Sequence, residues 1–402
     1  MSSGVSMAIR CNFTPISYRS LMLPVTRVAR WCYMVREQSR LFERNCGGQS
    51  QIEENKHYAE FWIGTHVSGP SFLETDHNVS LKSWILQNPK KLLGDVVVDK
   101  WGPDLPFLLK VLSVGRSLSI QAHPDKELAG LLHKLQPNEL DVVLESVPEI
   151  NELVGINEIE NGEVKVKEDR VLCRSIFTKL MSVDRDAIST SLSRLISRLN
   201  REKETRELSS KEELVLKLEK QYPNDVGVLA ALLLHHLILN PGEALYVGAN
   251  EPHAYLTGEC VECMAASDNV VRASLTPKYM DVKVLSSMLT YTQGLPEILK
   301  GVPLNPYTRR YTPPFEEFEI DRCVLTGGSS VVFPAVVGPA VFVVVSGEGS
   351  MLTSSSEERV WEGSALFAPA GTEVCVTTET ELELYRSGVN NKFLMNPNTQ
   401  HG

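Results

Sequence analysis

The hydrophobic period changes twice along this chain of 402 residues. Residues 57–125 have the pattern of short strands separated by loops. From 126 to about 221 apolar residues recur at helical spacing, and one helix face is formed there by Leu192, Leu195, Ile196 and Leu199. From about 316 onwards, valines, aromatic residues and glycine turns indicate strands only. This succession predicts an α+β fold with β-barrel modules and a helical insert.

Two local signals refine this organisation. Ser210 followed three residues later by Glu213 has the pattern of a capping box, so a helix is predicted to begin there. The most apolar run, residues 331–345, is interrupted by two prolines and a glycine. It is therefore too short to cross a bilayer, and it predicts two strands joined by a turn.

Composition and charge narrow the class of protein. With 43% hydrophobic and 22% charged residues, the chain has the composition of an ordinary globular protein, which excludes disorder and coiled coil. A net charge of -10 argues against nucleic acid and against an anionic membrane as partners. The eight cysteines are scattered, which favours reduced thiols in a cytoplasmic protein. Cys260 and Cys263 have C-x-x-C spacing, but without a second pair we interpret them as core thiols.

The stretch SLSIQAHPDK, residues 117–126, ends an apolar run that begins at Leu105. Side chains two positions apart on a strand share a face, so Gln121 and His123 converge on one point. An amide and an imidazole placed in this way can bind a metal ion together with ligands from elsewhere. When the pair is considered without other ligands, a structural histidine that is hydrogen-bonded at the end of a strand is the commoner explanation.

The densest cluster of reactive side chains lies in residues 241–283, PGEALYVGANEPHAYLTGECVECMAASDNVVRASLTPKYMDVK. A turn, a strand and then Pro252 and His253 is the order in which small β-barrels of the cupin type carry a metal-binding histidine at the barrel mouth. Together with Gln121 and His123, this motif favours a metal site over a structural histidine.

Four blocks make the sequence resemble the zinc-dependent type I family of phosphomannose isomerases. They are YAEFWIGTHVSGPS, LPFLLKVLSVGRSLSIQAHPDK, NEPHAYLTGECVECMAASDNVVRASLTPK and PYTRRYTPPFEEF. The resemblance runs from about Tyr58 to the end of the chain. It implies an α+β fold with a cupin-type jelly-roll catalytic domain, a helical insert domain and a second, C-terminal cupin-like β domain.

Domain limits follow from the resemblance and from the changes of period. We place an atypical N-terminal segment at 1–45, the catalytic β domain at 46–125 and 226–300, the helical domain at 126–225 with an apparent deletion near 138, and the C-terminal β domain at 301–402.

The resemblance also implies the residues of the site. The implied ligands of one zinc ion per chain are Gln121, His123 and His253. The implied catalytic residues are Arg272, Lys110, Glu262 and Asp268. The implied substrate-binding residues are Glu60, Tyr255 and Lys278. Ser117 and Ser119, which lie near them in the sequence block, are added as hydroxyl groups that can donate to the phosphate. Considered singly, several have a plainer explanation: a lysine such as Lys110 can extend from a strand edge to water, and Lys278 can be a surface residue.

The implied reaction is the interconversion of mannose 6-phosphate and fructose 6-phosphate, which supplies mannose for GDP-mannose synthesis. Moving a proton between C1 and C2 through an enediol needs a base, a path for the hydroxyl proton and a positive centre near the developing oxyanion. Zinc can polarise the sugar oxygens, and cations are needed for the phosphate. The sequence leaves the base unassigned. We expect a monomer whose partner is a sugar phosphate.

The chain departs from the family in three places. The family's fourth zinc ligand is a glutamate in a K-P-E-M block, but here LLHKLQPN runs directly into ELDVVLESVPEINELVG. Glu139, Glu145 and Glu149 lie near this junction without the block around them. The family's N-terminal N-Y-x-W-G strand has no counterpart, and Ser274 stands where the family usually has glycine. The hypotheses are therefore an isomerase with an impaired zinc site or, as the alternative, a non-catalytic sugar-phosphate-binding or unstable variant.

Overall fold

The computed structural model describes residues 6–10, 60–73, 79–123, 147–154, 169–266, 270–292 and 294–394. In chain order its strands are β1 (Ser6–Arg10), β2 (Phe61–Ile63), β3 (Phe107–Val114), β4 (Ile120–Ala122), β5 (Ala244–Val247), β6 (Gly258–Ala265), β7 (Val271–Ser274), β8 (Ile298–Leu299), β9 (Val302–Pro303), β10 (Thr308–Tyr311), β11 (Glu319–Leu325), β12 (Ser329–Phe333), β13 (Ala340–Leu352), β14 (Glu357–Trp361), β15 (Ala365–Ala368), β16 (Val374–Thr378) and β17 (Leu382–Gly388). Its α-helices are α1 (Leu81–Ile85), α2 (Pro89–Leu93), α3 (Asp95–Trp101), α4 (Pro148–Val154), α5 (Asp169–Ser182), α6 (Arg185–Glu202), α7 (Ser210–Gln221), α8 (Gly227–Ala230), α9 (Val282–Met288) and α10 (Asn391–Leu394). A 3₁₀ turn at Ala231–Leu233 follows α8. Within the described ranges no helix is both long and apolar enough to span a bilayer.

The first sheet has six antiparallel strands in the order β2-β3-β6-β1-β5-β8. The segment that the sequence marks as atypical supplies β1, which lies between two strands from the middle of the chain. Ala8 pairs with Leu245 of β5 on one side and with Glu262 of β6 on the other. A strand therefore occupies the centre of the sheet although its sequence, SMAIR, lacks the family's N-Y-x-W-G motif.

One face of the first sheet packs against the C-terminal domain. Phe61, Val111 and Val261 from adjacent strands share a buried apolar cluster with Phe318 and Tyr385. Because strand side chains alternate between faces, the neighbours of these residues point to the opposite side of the sheet. The polar residues of the candidate site lie among those neighbours.

The helical insert covers a two-stranded sheet formed by β4 and β7. Ile120 and Ala122 of β4 are almost completely buried in the same apolar cluster as the helices. In α6 the predicted face is confirmed: Leu192, Leu195 and Leu199 are buried, and Ile196 packs against their cluster. The limits of the domains stay a prediction.

The predicted capping box is wrong by one residue. The N-cap of α7 is Ser209, whose side chain accepts a hydrogen bond from the Glu212 N–H, while Glu212 accepts one from the Ser209 N–H at 2.7 Å. The sequence SSKEE contains two overlapping S-x-x-E patterns, and both satisfy the rule. Glu212 also receives the guanidinium of Arg206 at 2.6 Å, which favours this pattern over the one beginning at Ser210.

The C-terminal domain consists of nine strands that curl around an apolar interior. The path runs β12-β16-β13-β17-β11-β10-β9, and β14 and β15 both pair with the long strand β13. The predicted interruption of the run 331–345 is confirmed, because β12 ends at Phe333 and β13 begins at Ala340. Inside the domain the rings of Phe333 and Phe342 meet edge to face, with centroids 5.3 Å apart.

Candidate active site

Three directly opposed residues on β2, β3 and β6 form a polar row across the first sheet. In the strand register Trp62 pairs with Lys110, and Lys110 pairs with Glu262. The Lys110 Nζ lies 2.9 Å from the Glu262 carboxylate and 3.4 Å from that of Glu60. It also lies 5.0 Å from the centroid of the Trp62 ring. The row therefore places one cation between two carboxylates and beside an aromatic ring.

Both partners of the central ion pair are held in their charged forms. Burial by itself lowers the pKa of Lys110, but the carboxylates of Glu262 and Glu60 together raise that pKa above its ordinary value. Burial favours the neutral form of Glu262, yet the charge of Lys110 and the hydrogen bond from Tyr255 hold the pKa of Glu262 below its ordinary value. The Tyr255 hydroxyl donates to Glu262 Oε1 at 2.7 Å. Lys110 therefore acts as a cation and not as a base at neutral pH.

The end of β4 brings two histidines together. Gln121 and His253 form a β-bridge in which each backbone N–H donates to the other residue's carbonyl oxygen at 3.0 Å. The carbonyl oxygen of His123 accepts a hydrogen bond from the Asn250 N–H at 2.7 Å. The rings of His123 and His253 are consequently nearly parallel, inclined by 23° with centroids 5.7 Å apart. Two imidazoles remote in sequence thus share one place in the fold.

His253 has the surroundings of a metal ligand. Its Nδ1 lies 3.0 Å from the Glu251 carbonyl oxygen, an arrangement that places the ring proton on Nδ1. Its Nε2 is buried and has no hydrogen-bond partner in the described part of the chain. Burial lowers the pKa of His253, which keeps the ring neutral. A neutral imidazole with its other nitrogen bound to a carbonyl is the usual form of a zinc-binding histidine.

Gln121 and His123 are the other two candidate metal ligands beside His253. The Oε1 atom of Gln121 accepts a hydrogen bond from the Ser119 hydroxyl at 3.3 Å, which orients the amide. His123 is only 5% exposed. Across the residues that the structure describes, no group of three or more His, Cys, Asp and Glu side chains forms a metal site. The residues present therefore fit zinc as two imidazoles and one amide, all neutral.

The structure describes one of the three glutamates that lie near the junction where the family's K-P-E-M block is expected. Glu139 and Glu145 lie outside the described residues. Glu149 is buried in α4, and both of its carboxylate oxygens accept hydrogen bonds from Arg198, at 2.8 and 2.9 Å. Glu149 thus belongs to an ion pair inside the helical insert.

Arg272 lies beside the proposed ligands. It pairs with Gln121 in the register of β4 and β7, and it is half-buried. Within the described ranges its guanidinium has no hydrogen bond and no ion pair. Lys278 is exposed beyond the end of β7, where its N–H donates to the Thr276 hydroxyl at 3.1 Å. Asp268 lies outside the described residues.

The two serines before β4 differ in their surroundings. Ser117 is completely buried, and its hydroxyl donates to the Leu256 carbonyl oxygen at 3.1 Å. Its N–H donates to the Gln221 side chain, and its carbonyl oxygen accepts from the Tyr222 hydroxyl. Ser117 therefore joins the start of β4 to helix α7, whereas Ser119 contacts the proposed ligand Gln121.

Ser274, at the position where the family usually has glycine, places a hydroxyl in the protein interior. Its backbone is ordinary extended strand, so no left-handed conformation is strained. Its hydroxyl is buried without a hydrogen-bond partner among the described residues, and a Cβ on Gly227 would lie 2.6 Å from it. Leaving a buried hydroxyl unpaired costs about 1–3 kcal/mol.

The sequence did not single out Trp62. Its indole Nε1 donates to Glu60 Oε2 at 2.7 Å, and Lys110 lies against its ring. The sequence feature that could have indicated Trp62 is its position two residues after Glu60 on a predicted strand, because side chains at this spacing share a face. The carbonyl oxygen of Glu251 was missed for a different reason, because backbone acceptors leave no mark on a sequence.

The fold combines a six-stranded sheet, a helical insert and a curled nine-stranded sheet. With imidazole and amide donors beside a buried ion pair, it defines the class: an enzyme of the cupin fold with a candidate metal centre. Residues 30–150 match the family model for the catalytic domain of type I phosphomannose isomerase, and residues 149–234 match that for its helical insertion domain. The chain belongs to this family of aldose–ketose isomerases.

Curated relatives agree with the family models. The chain is 50% identical over 382 residues to mannose-6-phosphate isomerase 1 of Arabidopsis thaliana, covering 86% of this chain and 88% of the relative. It is 35% identical over 397 residues to mannose-6-phosphate isomerase of Candida albicans, covering 84% of this chain and 90% of that relative. The mannose 6-phosphate isomerase of Salmonella typhimurium, solved with fructose 6-phosphate and zinc, has the same fold, with a TM-score of 0.75 at 23% identity over 92% of this chain and 99% of that one.

Proposed function

We propose that this chain interconverts mannose 6-phosphate and fructose 6-phosphate and that Gln121, His123 and His253 hold one zinc ion. The observation that carries the proposal is the buried, unpaired Nε2 of His253 beside the ring of His123. The names of the curated relatives support the reaction, and the fructose 6-phosphate and zinc in the bacterial relative support the substrate and the metal.

The residues around the centre have separate tasks in this proposal. When bound, zinc supplies a Lewis acid that polarises a sugar oxygen. Arg272, with no internal partner in the described structure, supplies a positive charge to the phosphate or to the developing oxyanion. Asp268, which lies outside the described residues, is proposed as a further catalytic residue, and exposed Lys278 is proposed to attract the dianionic substrate. Tyr255 holds Glu262 through its hydroxyl.

Glu60 is the carboxylate best placed to accept a proton. Both oxygens of Glu262 are engaged, Oε1 by Tyr255 and Oε2 by Lys110. In Glu60 only Oε2 is engaged, by Trp62 at 2.7 Å and Lys110 at 3.4 Å. Its Oε1 has no partner in the described residues, so one carboxylate oxygen remains for a substrate hydroxyl or a C–H proton.

Zinc binding is proposed to be weaker here than in relatives with four ligands. The donors are all neutral and one is an amide, and they lack the carboxylate of the K-P-E-M block. We propose that activity is limited by zinc supply and not abolished. We further propose a cytoplasmic monomer that supplies mannose for GDP-mannose synthesis. Its scattered thiols support this compartment. Among the described residues, none of the following cysteines forms a disulfide: Cys173, Cys260, Cys263, Cys323 and Cys375.

The test is conversion of mannose 6-phosphate by purified, monodisperse protein, measured as fructose 6-phosphate formed. We expect turnover that rises with added zinc and disappears with a chelator. The Arabidopsis relative, assayed in parallel, is the positive control. No conversion under conditions in which the relative turns over would contradict the proposal, and binding of fructose 6-phosphate without conversion would support the non-catalytic alternative.

A further inference from the structure

Trp62 is held in place from several directions. Its Nε1 donates to Glu60 at 2.7 Å, and Lys110 Nζ lies 5.0 Å from the ring centroid. The ring of His66 meets the indole edge to face, with centroids 5.2 Å apart and an interplanar angle of 88°. The backbone of Gly69 lies so close that a Cβ there would be 2.6 Å from the indole Cε3 atom. The side chain of Trp62 is thus in contact with the charged groups of Glu60 and Lys110 and with the loop formed by residues 64–71.

That loop is closed by two hydrogen bonds between Gly64 and Ser71 at its ends. The N–H of Ser71 donates to the Gly64 carbonyl oxygen at 3.1 Å, and the N–H of Gly64 donates to the Ser71 hydroxyl at 2.9 Å. Within the loop the N–H of Gly69 donates to the His66 carbonyl oxygen at 3.1 Å. The closed loop therefore supports the indole as a fixed surface.

We propose that Trp62 is a positioning residue for the isomerisation, and this inference rests on the proposed function. Its N–H holds Oε2 of Glu60, so Oε1 remains available to the substrate. Without that donor, Lys110 is the one remaining partner of Glu60 in the described structure, at 3.4 Å. The carboxylate would then rotate towards the lysine, and its second oxygen would be drawn into the ion pair.

Gly69 offers a second way to move the indole without altering any charged group. Its backbone is outside the left-handed region, so alanine fits the local conformation. The added Cβ would meet the ring at 2.6 Å, and the ring must shift. A matched control is Gly338→Ala in the C-terminal domain, where the nearest atoms are at an ordinary 3.5 Å.

The first experiment is a double-mutant cycle on kcat and KM with Trp62→Phe and Glu60→Gln. Phenylalanine keeps an aromatic ring and removes the N–H. We expect Trp62→Phe to lower kcat at least tenfold with less than a threefold change in KM, and to cause no further loss in the Glu60→Gln background. Gly69→Ala should lower kcat in the same direction, and Trp361→Phe and Gly338→Ala should not. A Trp62→Phe enzyme with unchanged kcat, or losses that multiply in the double variant, would overturn the inference.

The second experiment needs no turnover, so it separates this inference from the proposed function. Nuclear magnetic resonance of protein labelled at the indole nitrogens of its five tryptophans should show one signal that is lost in Trp62→Phe. We expect that signal to shift in Glu60→Gln and in Gly69→Ala. If it shifts in a protein that does not isomerise, the proposed function fails and the positioning contact stands. If it does not move, the contact itself is refuted.

Discussion

The Nζ of Lys110 lies 2.9 Å from the carboxylate of Glu262, and the two residues are cross-strand partners in the middle of the first sheet. Lys110 is 8% exposed and Glu262 3% exposed. A buried charge is tolerated when its partner is close and the remaining polar atoms are satisfied. Here Glu60 and Tyr255 complete the arrangement, so removing one partner would leave a buried charge without compensation.

Replacing Lys110 by methionine should destabilise the protein strongly. The change keeps the volume but leaves Glu262 and Glu60 without their cation, and breaking a buried pair in this way costs about 3–5 kcal/mol. Denaturant unfolding measures the loss. Lys82→Met is the control, because its ion pair with Asp104 is about one-third exposed and should contribute about 0–1 kcal/mol. If both variants lose the same stability, the buried row does not have the importance assigned to it.

Stability should depend on pH through Glu262. Its folded-state pKa is lowered from the ordinary value of 4.5, so its contribution is present above that value and is lost as the pH falls through the folded-state pKa. We expect the difference in unfolding free energy between the wild type and Glu262→Gln to be constant near neutral pH and to shrink below pH 4.5. The measurement is denaturant unfolding of chelator-treated protein at a series of pH values. If the difference in unfolding free energy increased as the pH fell, the prediction would be contradicted.

Arg272→Gln should reduce activity without affecting stability. In the described structure its guanidinium has no internal partner, so folding loses little. A hydrogen bond to a charged group contributes about 1.5–3 kcal/mol, which corresponds to a fall in kcat/KM of about 10- to 160-fold. Kinetics and thermal unfolding are compared with those of Arg201→Gln, an exposed position in α6. A loss of stability in Arg272→Gln equal to its loss of activity would indicate a structural role instead.

The two serines before β4 should respond differently to alanine. Ser117→Ala removes a buried donor to the Leu256 carbonyl oxygen and should cost about 1–2 kcal/mol of stability, with kcat/KM nearly unchanged. Ser119→Ala removes the hydrogen bond that orients Gln121 and should weaken zinc binding about tenfold, with stability retained. Unfolding curves and zinc titration separate the two effects. The assignment fails if both variants lose zinc equally.

His253→Ala should abolish zinc binding in the folded protein. The change removes the imidazole whose buried Nε2 has no partner in the described residues, and the two ligands left are an imidazole and an amide. Elemental analysis of purified protein gives the zinc content. His236→Ala, a half-buried histidine after helix α8, is the control and should retain zinc. Unchanged zinc in His253→Ala would place the metal elsewhere.

Local spacing was sufficient for several features. The i, i+2 relation of Gln121 and His123 predicted a common face, and Ile120 and Ala122 of the same strand are buried in the apolar cluster of the helical insert. The turn within 331–345 was predicted correctly, because proline and glycine determine the backbone conformation of the few residues around them. The cap of α7 was predicted one residue late, because the choice between two equal patterns depends on the side chain of Arg206.

Long-range pairing could not be predicted in the same way. Nothing in SMAIR indicates that Ser6–Arg10 lies between β5 and β6, because strand pairing depends on partners more than two hundred residues away. The row of Trp62, Lys110 and Glu262 likewise exists only through the register of three strands.

Hydrophobic period and motif were therefore enough to predict the α+β class, the helical insert and the strand-rich C-terminal domain, and to select candidate residues for metal and substrate binding. These properties depend on neighbours along the chain. The folded arrangement was needed to show that His253 Nε2, beside His123, has no partner among the described residues, and that Lys110 lies between two carboxylates. It also showed that Ser117 is hydrogen-bonded to the end of helix α7 and that Trp62 donates to Glu60. Those properties depend on distance and burial between remote segments, and the order of residues does not encode them locally.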